Sequence, residues 1–265
     1  MRHVGTIAGR ELKSLFVSPV AYAVLTLFAV LAGFFFLSSV LQFSEYVIRL
    51  QQFQLLDQLR ELNLNDQVIA PFLGVMSVVL LFVIPGITMG LFAAEKANGT
   101  DELLLTSPLT IWEIVLGKYL AAAAFVVILV AMVGLFPALL FIYGDPEVPK
   151  TVAGLLGLLL VGLAYTAIGA FASSLTRSQV IAFVLAFVLL LLLWMLSFLA
   201  DLGAAGGTLG SANNLSGFLR YLSSSDHFEQ LVKGLIDTTD LAYFAVLIGS
   251  FLLLAKTAVE SVRWR

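Results

Sequence analysis

Cysteine is absent from the chain, and charge is scarce: only 12% of its 265 residues are Asp, Glu, Lys or Arg. Without thiols there is no disulfide, zinc-thiolate site, iron–sulfur cluster or cysteine nucleophile. Histidine occurs only twice, at His3 and His227. A net charge of −3 gives no general attraction to nucleic acid. No glycine-rich phosphate loop is present either. Leu116-Gly117-Lys118 is followed by Tyr119 and lacks the earlier glycine such a loop needs. The chain is therefore expected not to be an enzyme and to bind no cofactor or metal.

Apolar residues are abundant instead. They make up 60% of the chain, with a mean hydropathy of +1.03. Soluble domains carry roughly 45–50% apolar and about 25% charged residues, so this composition excludes a water-soluble fold. Six runs lack charge: Ser14–Ser44, Gln67–Ala94, Tyr119–Gly144, Thr151–Thr176, Ser178–Ala200 and Leu241–Ala255. A bilayer core of about 30 Å needs roughly 20 helical residues. The last run reaches that length if Lys256 snorkels to the head groups. The run Leu202–Leu219 holds Gly, Ser and Asn turn chemistry and is not counted as a span. The expected architecture is an all-α membrane protein with spans near 20–42, 68–93, 119–143, 151–172, 179–200 and 240–258, forming one transmembrane domain over 1–265.

With six spans both ends share one side. That side holds nine basic residues: Arg2, Arg10, Lys13, Lys96, Lys118, Arg177, Lys256, Arg263 and Arg265. The other side holds five, Arg49, Arg60, Lys150, Arg220 and Lys233, and eleven of the seventeen acids. The positive-inside rule then places both termini in the cytoplasm of a multi-pass protein of the inner membrane.

The segments between spans carry further signals. Val4, Ile7, Ala8, Leu12, Leu15 and Phe16 recur at helical spacing, with Arg10, Lys13 and Ser14 opposite. This predicts an interfacial helix over 3–17, ended by Ser18-Pro19, that serves as a partner contact or a plain anchor. Phe43–Gln67 reads as helical, prolonging the first span as a gate or a connector. Thr100 can cap a helix beginning at Asp101 and Glu102, Leu103–Leu105 give it an apolar patch, and Ser107-Pro108 ends it. Thr110 and Glu113 form a capping box for the next helix. A short helix across the inner surface, exposing leucines beside carboxylates, is either a docking surface or an interfacial helix. Leu215–Leu222 and Phe228–Ile236 predict two short outer-leaflet helices before the last span, with Asp226 and Glu229 as the capping signal. Ser38, Ser39, Thr88, Tyr165 and Thr166 are expected to bond between helices, and Gly86, Gly90, Gly162 and Ala170 to let them pack closely.

No span carries a deep ionisable residue of the kind ion-coupled carriers use. With neither an ATP site nor an ion relay, the chain conducts passively, acts as a scaffold, or borrows work from a partner.

The stretch Glu95-Lys96-x-x-Gly99-Thr100-x-Glu102-Leu103-Leu104-Leu105-Thr106-x-Pro108, followed by Trp112-Glu113-Ile114-Val115-x-Gly117-Lys118, resembles the coupling region of exporter-type ABC transporter permeases. The branch it most resembles holds the gliding-motility and copper-site-maturation permeases. Arg10-Glu11-Leu12-Lys13-Ser14 with Ser18-Pro19 is similar to the elbow helix of that branch, and Phe228–Tyr243 and Val259–Trp264 are similar to its C-terminal part. The resemblance implies two permease subunits, identical or homologous, above two cytoplasmic ABC ATPase subunits that hold ATP and Mg. It leaves room for periplasmic or other membrane subunits. By the same resemblance Glu95, Gly99, Thr100, Glu102, Leu103, Leu104, Pro108 and Glu113 would transmit force, with Arg10 and Lys13 as a second contact. The function implied is the transmembrane permease subunit of an ATP-driven exporter. The alternative is a scaffold whose ATPase works mechanically on a periplasmic protein.

Overall fold

A computed structural model describes residues 3–55, 62–100, 109–205 and 212–261, with backbone alone for 202–205 and 212–216. The described residues are nearly all helical. In chain order the helices are α1 (Val4–Val17), α2 (Pro19–Gln52), α3 (Asn65–Asn98), α4 (Ile111–Tyr143), α5 (Val148–Leu175), α6 (Gln179–Ala205), α7 (Ala212–Leu222), α8 (Ser224–Val232) and α9 (Thr238–Glu260). Six of them, α2–α6 and α9, are long and apolar enough to cross a membrane.

Local chemistry sets the boundaries. Pro19 forces Ser18 into an extended conformation, which stops α1. The Ser18 hydroxyl then accepts the Val20 N–H at 3.3 Å, and Pro19 occupies the first turn of α2, where its missing N–H costs nothing. Helix α2 has 34 residues, about 51 Å at 1.5 Å per residue, so it outruns a bilayer core of about 30 Å. The extension anticipated from Phe43 onward is therefore helical as far as Gln52.

Helix α5 is the hub. Two-thirds of its most apolar window (67%) is buried, against 17% for α2 and 17% for α6. Its glycines let neighbours approach. A Cβ on Gly162 would sit 2.6 Å from Val126 Cγ1 of α4, and one on Gly169 would sit 2.1 Å from Thr88 Oγ1 of α3. The close-packing stripe expected at Gly86 and Gly90 is not one, because an added Cβ at either meets nothing within 4 Å. The close approach is on α5, where Gly162 was expected to allow it and Gly169 does so as well. Around it Phe72, Met76 and Ile84 pack against Phe125, Leu129, Val161 and Ile168 in one continuous core.

Most of the expected interhelical hydrogen bonds turn inward. Ser39, Thr88 and Thr166 each donate to the carbonyl four residues earlier in their own helix. This satisfies a hydroxyl in an apolar setting without a partner helix. Ser38 accepts from Gln42, again within α2. Only Tyr165 reaches another helix, its hydroxyl 3.4 Å from that of Ser224. Helix α8 is capped by Ser223, whose hydroxyl accepts the Ser225 N–H at 3.2 Å, rather than by Asp226 and Glu229. It ends at Gly234, whose φ of +83° favours glycine.

Candidate functional site

At the end of the bundle that holds the chain termini, three helices meet on a buried lysine. Lys118, in the second turn of α4, has only 2% of its side chain exposed. Its ammonium lies 2.7 Å from Glu95 Oε1 near the end of α3 and 3.4 Å from Glu11 Oε1 of α1. The Phe92 ring centre is 5.6 Å from the same nitrogen. A buried charge is tolerated only when paired and hydrogen-bonded. Here one cation serves two carboxylates, each about one-fifth exposed (20% for Glu11, 22% for Glu95). The pairing draws together segments distant in sequence.

Gly117 makes this possible. A Cβ there would lie 2.7 Å from Ile7 Cβ, so only glycine lets α1 lie directly on α4. The Leu116-Gly117-Lys118 triplet is thus a seat for α1. The apolar residues expected to rest in lipid, Val4, Ile7, Ala8, Leu12, Leu15 and Phe16, are half-buried. Ile7 sits over Gly117 and Phe16 lies 5.7 Å from the Phe125 ring. The amphipathic pattern was legible, but its apolar side is in large part covered by protein.

The site residues named from sequence fall into four groups. Arg10 and Lys13 are exposed on α1, and Arg10 pairs with Glu11 at 3.2 Å. Glu95, Gly99 and Thr100 form the exit from α3. Gly99 takes a left-handed φ of +68°, which returns the Thr100 N–H to the Glu95 carbonyl at 3.0 Å. The Thr100 hydroxyl donates to that carbonyl at 3.3 Å, so it helps close α3. Lys96 donates to the Ser174 carbonyl at the end of α5. Glu102, Leu103, Leu104 and Pro108 lie outside the described residues. Beyond them Glu113 is a capping residue: its carboxylate accepts the Thr110 N–H at 3.2 Å and hydroxyl at 3.1 Å, while the Thr110 hydroxyl accepts the Glu113 N–H at 3.3 Å. The structure brings Glu95 into the knot with Glu11 and Lys118. Lys13 is exposed on α1, and Arg10, also exposed, borders the knot by pairing with the same Glu11 Oε1 that faces Lys118.

Glu11 and Lys118 were not singled out from sequence. In the sequence Lys118 is one of nine basic residues on the expected inner side and the last residue of the motif that carries the resemblance. The available signal was Gly117 beside it, whose packing meaning appears only once α1 is seated. Ser173 was also missed. Its hydroxyl accepts the Phe92 and Ala93 N–H groups, both at 3.1 Å, and donates to the Met89 carbonyl at 2.8 Å. It thereby mends the break in α3 after Thr88, one turn beyond the internal Pro85.

The far end carries its own polar nodes. Asn65 at the start of α3 accepts the Glu147 N–H at 2.7 Å and donates to the Thr151 hydroxyl at 2.9 Å. Lys150 pairs with Glu147 at 3.2 Å and Asp66 at 3.6 Å. His227 of α8 is buried, its Nδ1 2.6 Å from Asp240 Oδ1 and its Nε2 3.0 Å from the Tyr221 carbonyl. Both ring nitrogens therefore face acceptors. Both contacts are hydrogen bonds only if Nε2 carries a proton and a second lies between Nδ1 and Oδ1. The Tyr243 ring stacks on the imidazole at 4.0 Å.

The model of the ABC-2 family transporter protein matches residues 6–262, nearly the whole chain. The chain belongs to the ABC-2 transporter family. It is accordingly a multi-pass membrane permease of an ABC transporter, a class whose ATPase activity resides in partner subunits. No curated protein matches the chain. Within an ABC-2 permease, the terminal-end knot flanks the segment whose motif first resembled a coupling region.

Proposed function

We propose that this ABC-2 permease is the membrane subunit of an ATP-driven exporter, similar to the gliding-motility and copper-maturation branch. Both termini face the cytoplasm, and two ATPase subunits bind beneath a pair of permease subunits. Residues 95–113 form the principal ATPase contact, with Glu102, Leu103, Leu104 and Pro108 at its centre. Arg10 and Lys13, exposed on α1, form the second contact. Glu95, Gly99, Thr100 and Glu113 shape the helix ends on either side. The Lys118 knot carries this reading. It fastens α1, the end of α3 and the start of α4 together, so force applied to 95–113 reaches two spans and α1 at once.

In this reading nucleotide-driven closure of the ATPase pair pushes α3 and α4 as one block. A scaffold that moves no solute is the second reading, and it predicts a tightly packed permease dimer with no path between the paired spans. Export calls for a lipid-wide or hydrophobic cavity between the paired spans; within one subunit a cavity of about 470 Å³ lies between α3, α6 and α8 in the far half of the bundle. The test is Glu102→Arg. Truncating one partner of a buried interfacial charge pair costs about 2–5 kcal/mol, so the variant should lose the ATPase in a pull-down while remaining folded. Unchanged co-purification with unchanged ATPase activity would refute the assignment.

A further inference from the structure

The far-half cavity has an explanation in how α8 is held. On one side α8 is pressed onto α5, where a Cβ on Gly157 would lie 2.9 Å from Leu231 Cβ. On the other side a gap opens between it, α3 and α6, crossed where the Ser225 hydroxyl donates to the Trp194 carbonyl at 3.3 Å. There Gly74 lines the gap, and a Cβ added to it would meet nothing within 4 Å. A helix-interior glycine weakens a helix relative to alanine, and at Gly74 no neighbouring helix uses the space its missing side chain leaves. The volume of about 470 Å³ falls in the range of small-ligand sites, roughly 300–1,000 Å³.

The lining is divided by chemistry. Val78, Trp194, Phe198 and Phe228 supply apolar and aromatic walls, and Ser77 and Ser197 add hydroxyls. Asp201, Glu229 and Lys233 belong to the same lining. Glu229 and Lys233 pair at 2.7 Å, and Asp201 pairs with Arg220 of α7. Asp226 of α8 adds a further carboxylate close to Arg220, Glu229 and Asp201. Within the lining itself two carboxylates, Asp201 and Glu229, stand with one cation, Lys233, while Arg220 reaches Asp201 from α7. All four paired side chains are more than half exposed, so an incoming polar group can join or replace a partner.

We propose that the cavity between α3, α6 and α8 binds an amphiphile with an ammonium headgroup, its chain against Trp194, Phe198 and Phe228 and its headgroup at Asp201 and Glu229. The excess carboxylate favours an amine and disfavours an anionic headgroup. The assignment rests on the exporter reading only in calling the occupant cargo. Binding itself stands on the cavity.

The experiment uses the full chain in a neutral maltoside detergent, with Trp112→Phe and Trp264→Phe leaving Trp194 as the reporter. Fluorescence is followed while lysophosphatidylethanolamine or lysophosphatidylglycerol, each with a brominated chain, is added. Saturable quenching is expected with both, at about threefold lower concentration for the ethanolamine lipid, the size of effect exposed charge pairs give. Gly74→Leu, which grows into open space, should abolish saturation, and Ala70→Leu serves as a second filling variant. Glu229→Gln should erase the headgroup preference. Equal half-points for the two lipids, or saturation retained in both filling variants, would overturn the proposal. ATPase capture is measured in parallel. If the Trp194 reporter chain without a filling variant saturates with lipid but the unsubstituted chain captures no ATPase, the exporter reading fails and the cavity assignment stands.

Discussion

Replacing Lys118 by methionine isolates the electrostatic part of the terminal-end knot. Methionine keeps an unbranched apolar side chain of similar length, so packing changes little. What changes is charge: Glu95, and Glu11 which keeps only the exposed Arg10 at 3.2 Å, both lose an ammonium that lies within 3.4 Å of them. Removing one partner of a buried ion pair costs about 3–5 kcal/mol. Both carboxylates keep about one-fifth of their surface exposed, and water screens part of that penalty. The expected loss is therefore about 2–3 kcal/mol. Thermal unfolding in detergent measures the loss, and hydrogen exchange locates it in α1 and at the end of α3. Adding Glu11→Gln and Glu95→Gln to Lys118→Met should restore most of the stability, because the uncompensated charges go too. If Lys118→Met unfolds within 0.5 kcal/mol of the parent chain, with exchange in α1 unchanged, the knot does not fasten these helices.

Gly169→Ala should destabilise by about 1–3 kcal/mol through overpacking against Thr88, and Thr88→Ala should relieve much of that cost; thermal unfolding of the single and double variants checks both. At the far end, the Asn63 hydrogen bond and then Lys150 hold the Glu147 carboxyl below its ordinary value. A depressed acid stabilises the fold above its unfolded value and loses that contribution as pH falls through the folded one. Exchange at residues 63–67 should thus stay slow through the ordinary carboxylate range and rise only in stronger acid. A rise already near pH 5–6 would contradict this. His227→Phe leaves the buried Asp240 Oδ1 without its hydrogen-bond partner and should cost about 1–3 kcal/mol. Adding Asp240→Asn should recover part of it, as unfolding midpoints would record.

The six spans were legible because an uncharged apolar run of sufficient length has few other uses. The capping box at Thr110 and Glu113 and the left-handed Gly99 were legible because both depend on residues within one turn. Long-range pairing was not. Lys118 and Glu95 are 23 residues apart and Lys118 and Glu11 are 107 apart, and nothing in local periodicity selects those partners. Small residues were half legible: Gly162 was expected to pack closely and does, whereas Gly86 and Gly90 do not. Gly86 and Gly90 have the spacing of a close-packing motif, yet the approach is made by Gly162 and Gly169 on another helix. His227 read as a residue outside the spans, and its burial follows from the fold of α8 onto α9.

The central claim is that residues 95–113 lie on the cytoplasmic side under an ATPase. Because the chain has no cysteine, a single Ala97→Cys substitution gives an unambiguous label. Ala97 is exposed, and Gln51, exposed at the other end of the bundle, provides the opposite reference as Gln51→Cys. A membrane-impermeant maleimide should label Ala97→Cys in inverted vesicles, with protection when the ATPase is present, and should label Gln51→Cys only in right-side-out vesicles. Labelling of Ala97→Cys from outside intact cells would contradict the account.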